Sequence, residues 1–181
     1  MHKETKENAS FDLSIVDSNF SSWVGDRRRI LPQGIGVLHR TRNIPSTLID
    51  ARLAPDMLPF AGQIQRISDT SKRPTARLAA IEPPAYEDTE RTFPELQARL
   101  EKTCGFLKSI SPEQLDSAPS RLIESKLPSG GVEHLPAEKY LLTRALPNFY
   151  FHLVTAHDIL RHMGVSVGKR DYLFLPGEVG G

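Results

Sequence analysis

Three histidines stand at an even spacing of five in "LPNFYFHLVTAHDILRHMGV", residues 146–165: His152, His157 and His162. Imidazoles titrate near neutrality and bind divalent metals, so the stretch raises either a metal site or proton-transfer chemistry. On a helical wheel of about 100° per residue, Phe149, Leu153, Ala156, Leu160 and Met163 form one apolar arc. His152 falls on the edge of that arc, whereas His157 points outward and His162 lies on the flank. His152 and His162 are separated by roughly 15 Å along the axis, too far to share an ion that holds nitrogen ligands at about 2 Å. The chelating offsets of three and four from His152 fall on Asn148, Phe149, Thr155 and Ala156, none of which is a histidine or carboxylate. One inward imidazole therefore remains, with Asn148 one turn before it and Thr155 one turn after. His152 with Asn148 is the expected acid–base pair, and His157 and His162 are expected at the surface or as helix caps.

Three helical segments must position that ring. The first is expected from "LAPDMLPF" to Ile81, with Pro55 and Asp56 in its first turn and Met57, Phe60, Ile64 and Ile67 as its apolar stripe. Pro74 should kink or divide it. "EPPAYEDTERTFPE" reads as a connecting loop, closed by a capping box of Thr92 and Glu95. The second helix should then bury Phe93, Leu96, Leu100, Thr103, Leu107 and Ile110. "SPEQ" at 111–114 starts a short helical turn. "RLIESKLPSGGVEHL" reads as a short hairpin or loop crossover around Gly130 and Gly131. The third long helix should run from Pro136 to Gly164 with a bend at Pro147. Residues 1–45 read as an irregular segment with a degenerate first helix, because Pro32, Gly34 and Gly36 would interrupt one; residues 174–181 read as a tail.

A chain of 181 residues is enough for one domain with a core. Its 23 basic and 22 acidic side chains give a net charge of +1, which makes no electrostatic case for nucleic acid. The basic clusters, "DRRR" at 26–29 and those around Lys72 and Lys169, read as solvated surface charge. The single cysteine, Cys104, excludes an internal disulfide and reads as an inert buried thiol. No apolar run reaches the ~20 residues of a membrane span, and the N-terminus lacks the apolar core of a signal peptide. A cytoplasmic protein without membrane association is the expectation.

"ARLAPDMLPFAGQIQ", "EPPAYEDTERTFPELQARLEKTCGFLKSI" and "LPNFYFHLVTAHDILRHMGVSVGKRDYL" together resemble a bacterial and fungal domain-of-unknown-function family, over roughly residues 46–173. That family is grouped with DinB-like helical bundles. The resemblance implies an all-α fold, a four-helix bundle connected up-down-down-up. Metal-using members of the wider group hold a divalent ion with three histidines, one from the second bundle helix and two, four apart, from the last. This chain keeps only His152 of the latter pair, and its 56–81 helix offers Asp56, Gln63, Gln65 and Asp69 instead of histidine. No metal and no cofactor are therefore expected.

The leading expectation is a metal-independent enzyme of isomerase, lyase or cyclase type, acting on an apolar small molecule in a pocket opened by the altered first helix. His152 and Asn148 would be catalytic, with Asp56, Phe60, Gln63, Tyr86 and Thr155 binding the substrate. The alternatives are a non-catalytic ligand-binding module or homodimeric scaffold, and a residual DinB-type metalloenzyme using a weaker site with Asp56 or Gln63.

Overall fold

The computed structural model describes residues 46–173 apart from Asp116 and Pro128. The expectations for segment 1–45, "DRRR" included, and for the tail 174–181 lie outside the described residues. What is described is mostly helical, with one small two-stranded sheet where a short hairpin or loop crossover was expected.

The first long helix, α1, spans Phe60–Ala79. It begins later than Pro55 predicts, because the preceding chain folds back over its first turn. Phe60 and Ala61 donate their backbone N–H groups to the carbonyls of Ala51 (2.9 Å) and Ile49 (3.1 Å). These bonds satisfy donors that a side-chain cap would otherwise take, and Pro59 at the cap offers none. The fold-back also drives Leu48 and Ile49 into the core. Pro74 does not divide the helix. Around it, the Ser71 and Thr75 hydroxyls donate to the carbonyls of Ile67 and Ser71, one turn earlier, at 2.7 and 2.8 Å. The helix ends at Ala80 in the left-handed region, at φ 53°, with Ile81 N–H closing onto the Ala76 carbonyl at 3.0 Å.

The second helix, α2, spans Phe93–Ser109 and starts on the capping box read from the sequence. The Glu95 carboxylate accepts the Thr92 N–H at 2.9 Å, and Thr92 Oγ1 accepts the Glu95 N–H at 3.4 Å. Cross-helix pairs show that α1 and α2 run parallel: Phe60 meets Phe93 at 5.6 Å between ring centroids, and further along Ser68 Oγ meets Thr103 Oγ1 at 2.7 Å. A parallel pair needs a return, and residues 80–92 supply it. The short helix α3, Pro112–Leu115, leads into a hairpin of β1 (Leu122–Lys126) and β2 (Val132–Pro136), antiparallel with Ile123 opposite Leu135.

After α4 (Ala137–Tyr140) the chain widens into a π-helical turn at Leu141–Ala145 before α5, Leu146–His162. Pro147 accounts for the irregularity: lacking an N–H, it leaves the Thr143 carbonyl without its usual partner, and Arg144 Nη1 donates to that oxygen at 3.2 Å. Contacts of Gln63 with His152 and of Arg77 with Tyr140 place this region antiparallel to α1. Gly164, at φ 83°, stops α5, and a short helix α6 follows at Lys169–Leu173.

Two apolar clusters result. The larger joins Phe60, Ile64 and Ile67 of α1 to Leu96 and Leu100 of α2 and to Phe149, Leu153, Ile159 and Leu160 of α5. The smaller lies under the hairpin and gathers Leu78, Ile110, Ile123, Leu135, Tyr140 and Leu141.

Candidate functional site

On the α1–α5 contact, His152 Nδ1 lies 2.8 Å from Gln63 Oε1. The Gln63 side chain is buried, and its Nε2 donates to the Leu58 carbonyl at 3.1 Å. A carbonyl can only accept, so this second bond fixes which end of the amide is nitrogen. The amide oxygen must then face the imidazole, and an oxygen there requires the proton on Nδ1. Nε2 is left with its lone pair and, among the described residues, with no hydrogen-bond partner. Burial of the half-buried ring, followed by the positive charge of Arg66, lowers the pKa of His152 below its usual value. Both effects favour neutral imidazole, the form able to accept a proton.

The other sequence candidates have different surroundings. Asn148 is exposed at the start of α5, so Gln63 and not Asn148 orients the ring. Asp56 is exposed in the loop ahead of α1, outside the helix expected to carry it. Phe60 is wholly enclosed in the larger cluster against Phe93. Thr155 is buried, and its hydroxyl donates to the Phe151 carbonyl at 2.7 Å. His157 is half-buried, donating from Nε2 to the Gly168 carbonyl at 3.2 Å and meeting the Tyr172 ring edge-on; His162 is exposed. Cys104 is half-buried, and that burial pushes its thiol pKa up, away from thiolate chemistry.

Tyr86 belongs to a second constellation. The return segment lies along α1 and α2 and is fastened by a row of charges. Asp69 receives Lys72 Nζ at 2.5 Å, Arg73 at 3.1 Å and Arg99 at 3.2 Å. From the return segment, Asp88 contacts Arg66 and binds Arg99 at 2.9 Å, while Glu90 binds Arg99 at 3.0 Å and accepts Gln65 Nε2 at 3.0 Å. The Tyr86 ring covers Lys72 Nζ at 4.1 Å. Lys72 is 1 % exposed, which corrects its reading as solvated charge: a carboxylate one helical turn away and an aromatic roof replace its water. For Asp69, burial works to raise the pKa, but the Lys72 hydrogen bond and the charges of Lys72, Arg73 and Arg66 outweigh it and leave the group below its usual value.

Sequence reading missed Arg66, Asp69, Lys72 and Arg99 as a group. The available signal was acid and base at three- and four-residue spacing in "RISDTSKR", together with the acidic "YEDTE" that returns beside it.

A resident divalent ion of the DinB-like type does not fit this donor set. Among the described residues no three His, Cys, Asp or Glu side chains gather as metal ligands. Facing His152 on α1 is an amide whose two ends are both engaged.

No curated protein matches the chain. The chain is similar in structure to a solved DinB family member protein from Shewanella denitrificans, with a TM-score of 0.68 and 28 % identity over 93 % of this chain and 97 % of that one. No helix among the described residues is long and apolar enough to cross a membrane. A family profile described as "Domain of unknown function (DUF1993)" matches residues 19–173 and so takes in part of the segment set apart at 1–45; the chain belongs to that family, which is related to the DinB-like fold.

Proposed function

We propose that the protein is a cytoplasmic, metal-independent enzyme of isomerase, lyase or cyclase type acting on a small, largely apolar molecule, with His152 as its proton acceptor. The four-helix, up-down-down-up connection belongs to the same reading. The observation that carries the function is the chain of bonds from the Leu58 carbonyl through Gln63 to His152 Nδ1, which leaves Nε2 as the basic atom. A neutral imidazole with a fixed tautomer suits proton abstraction and return, the step that isomerisation and elimination share. Phe151, 56 % exposed, meets the ring edge-on and supplies apolar surface beside it.

The test uses proton NMR in deuterium oxide with a panel of small ketones and enones, following exchange of hydrogens next to the carbonyl. The wild-type chain should accelerate exchange in at least one of them, and His152→Ala should abolish the acceleration while the fold persists. Exchange that survives the substitution removes His152 from the role. A second reading, a ligand-binding or homodimeric module without chemistry, draws on the exposed Tyr150, Phe151 and Val154 of α5. It predicts saturable binding or self-association with no exchange at all.

A further inference from the structure

Resting on the acid–base reading of His152, we propose that Gly62 is a positioning residue for that site. Its missing side chain lets the Leu58–Pro59 peptide settle where the Leu58 carbonyl fixes the Gln63 amide, which keeps the His152 proton on Nδ1. Gly62 is buried in the first turn of α1, directly before Gln63. A Cβ placed on it would lie 3.2 Å from Leu58 Cβ and 3.3 Å from Pro59 Cδ. Comfortable carbon–carbon contact begins at about 3.5 Å, so a methyl group there presses on both atoms. These two atoms stand on either side of one peptide group. Leu58 Cβ hangs from the α-carbon before the carbonyl, and Pro59 Cδ is bonded to the nitrogen after it. Neither can turn aside by changing rotamer, because a β-carbon and a ring atom bonded to nitrogen move with the backbone. The carbonyl between them is the one that accepts Gln63 Nε2, at 3.1 Å.

Little slack surrounds that peptide. The Pro59 carbonyl accepts the Gln63 N–H at 2.9 Å, and Phe60 donates its N–H to the Ala51 carbonyl at 2.9 Å. Upstream, Arg52 Nη1 donates to the Met57 carbonyl at 2.8 Å. With bonded neighbours on both sides, the Leu58 carbonyl itself is the group that has to yield. Its 3.1 Å bond to Gln63 is already towards the long end of the ordinary range, so a small outward shift weakens it sharply. Gln63 is then free to turn its amide over and donate from Nε2 to His152 Nδ1, which puts the imidazole proton on the other nitrogen. The atom that accepts a proton in the proposed reaction is thereby occupied. Alanine suits a helix better than glycine, so helix stability does not ask for glycine at this place.

The test reads the His152 tautomer by proton–nitrogen correlation NMR of the full chain at about pH 8, where the ring is neutral. The wild type should show the Nδ1–H form. Gly62→Ala should keep the fold and lower the ratio of Nδ1–H to Nε2–H about tenfold, the factor that one hydrogen bond is worth. Adding Leu58→Gly removes the atom nearest the new methyl and keeps a carbonyl at position 58. It should return the ratio to within about threefold of the wild type. Gly105→Ala, on α2, where a Cβ would meet nothing within 4 Å, should leave the ratio unchanged. A wild type with its proton on Nε2, a ratio that survives Gly62→Ala, a double variant that stays altered, or an equal change in Gly105→Ala overturns the proposal. Should Gly62→Ala fail to fold, the double variant decides: the wild-type tautomer supports the proposal, and a mixed tautomer or continued failure to fold overturns it. Failure of the catalytic reading is separately visible. Exchange indifferent to His152→Ala removes the catalysis and leaves the tautomer result standing; a tautomer indifferent to Gly62→Ala removes the positioning role even where exchange needs His152.

Discussion

At the scale of single residues, the behaviour of His152 is set by what Gln63 is unable to do. An amide is neutral, so it fixes the tautomer without stabilising the imidazolium, and burial, followed by Arg66, lowers the pKa of the ring. Glu in place of Gln63 would set a negative charge against the same nitrogen. An opposite charge at such range favours the protonated ring by about one to three pKa units, so Gln63→Glu should move the His152 midpoint from below to above its ordinary value of about 6.5. NMR titration of the ring reads this directly. The linkage to stability has opposite signs in the two chains. In the wild type the depressed pKa means the unfolded chain binds the proton first, so stability is present above about pH 6.5 and is lost as pH falls towards the folded midpoint. In Gln63→Glu the raised pKa contributes stability below about pH 6.5 that is lost as pH rises through the folded midpoint. A His152 midpoint that stays low in Gln63→Glu would mean that the carboxylate does not face the ring.

At the scale of elements, the row of charges between α1, α2 and the return segment solves the problem that two consecutive parallel helices create. The polypeptide must travel back along its own length, and polar backbone laid against helices needs partners. Arg99 meets that need, donating to the Glu87 carbonyl at 2.8 Å as well as to carboxylates on either side. Asp69 is the centre of the row. Asp69→Ala leaves Lys72 and Arg99 buried without their shared counter-charge, and loss of one partner from a buried ionic group costs about 3–5 kcal/mol. Urea unfolding should show that loss, with destabilisation under about 1 kcal/mol indicating a row far more hydrated than its burial implies. This is also where sequence reading reached its limit. The Thr92–Glu95 box was legible because every participant lies within four residues. The start of α1 was not, because its caps are carbonyls of Ile49 and Ala51 delivered by a fold-back. Lys72 reads as a solvated cation until Tyr86 and Asp69 are known to enclose it. His152 was identifiable as inward-facing from its own helix alone. Its partner, 89 residues away in sequence, stood among several polar candidates that local spacing could not separate.

At the scale of the whole molecule, the two apolar clusters divide the labour. The larger holds α1, α2 and α5 in register and so fixes the distance between Gln63 and His152. The smaller seats the hairpin, α4 and the π-helical turn on the far part of α1, around Leu78. If the site depends on the first cluster only, weakening the second should lower stability and leave the imidazole undisturbed. Leu135 is the residue to use: it is 6 % exposed, pairs with Ile123 across the hairpin and belongs to the smaller cluster alone. Leu135→Ala removes buried side-chain volume and should cost about 2–5 kcal/mol, by the general cost of core truncation. Sites that share no partners add independently, so the His152 midpoint measured by NMR should match the wild type. A midpoint displaced by Leu135→Ala would show instead that the hairpin sets the α1–α5 geometry. In that case the π-helical turn at Leu141–Ala145, which joins the hairpin cluster to α5, would be the element carrying the coupling.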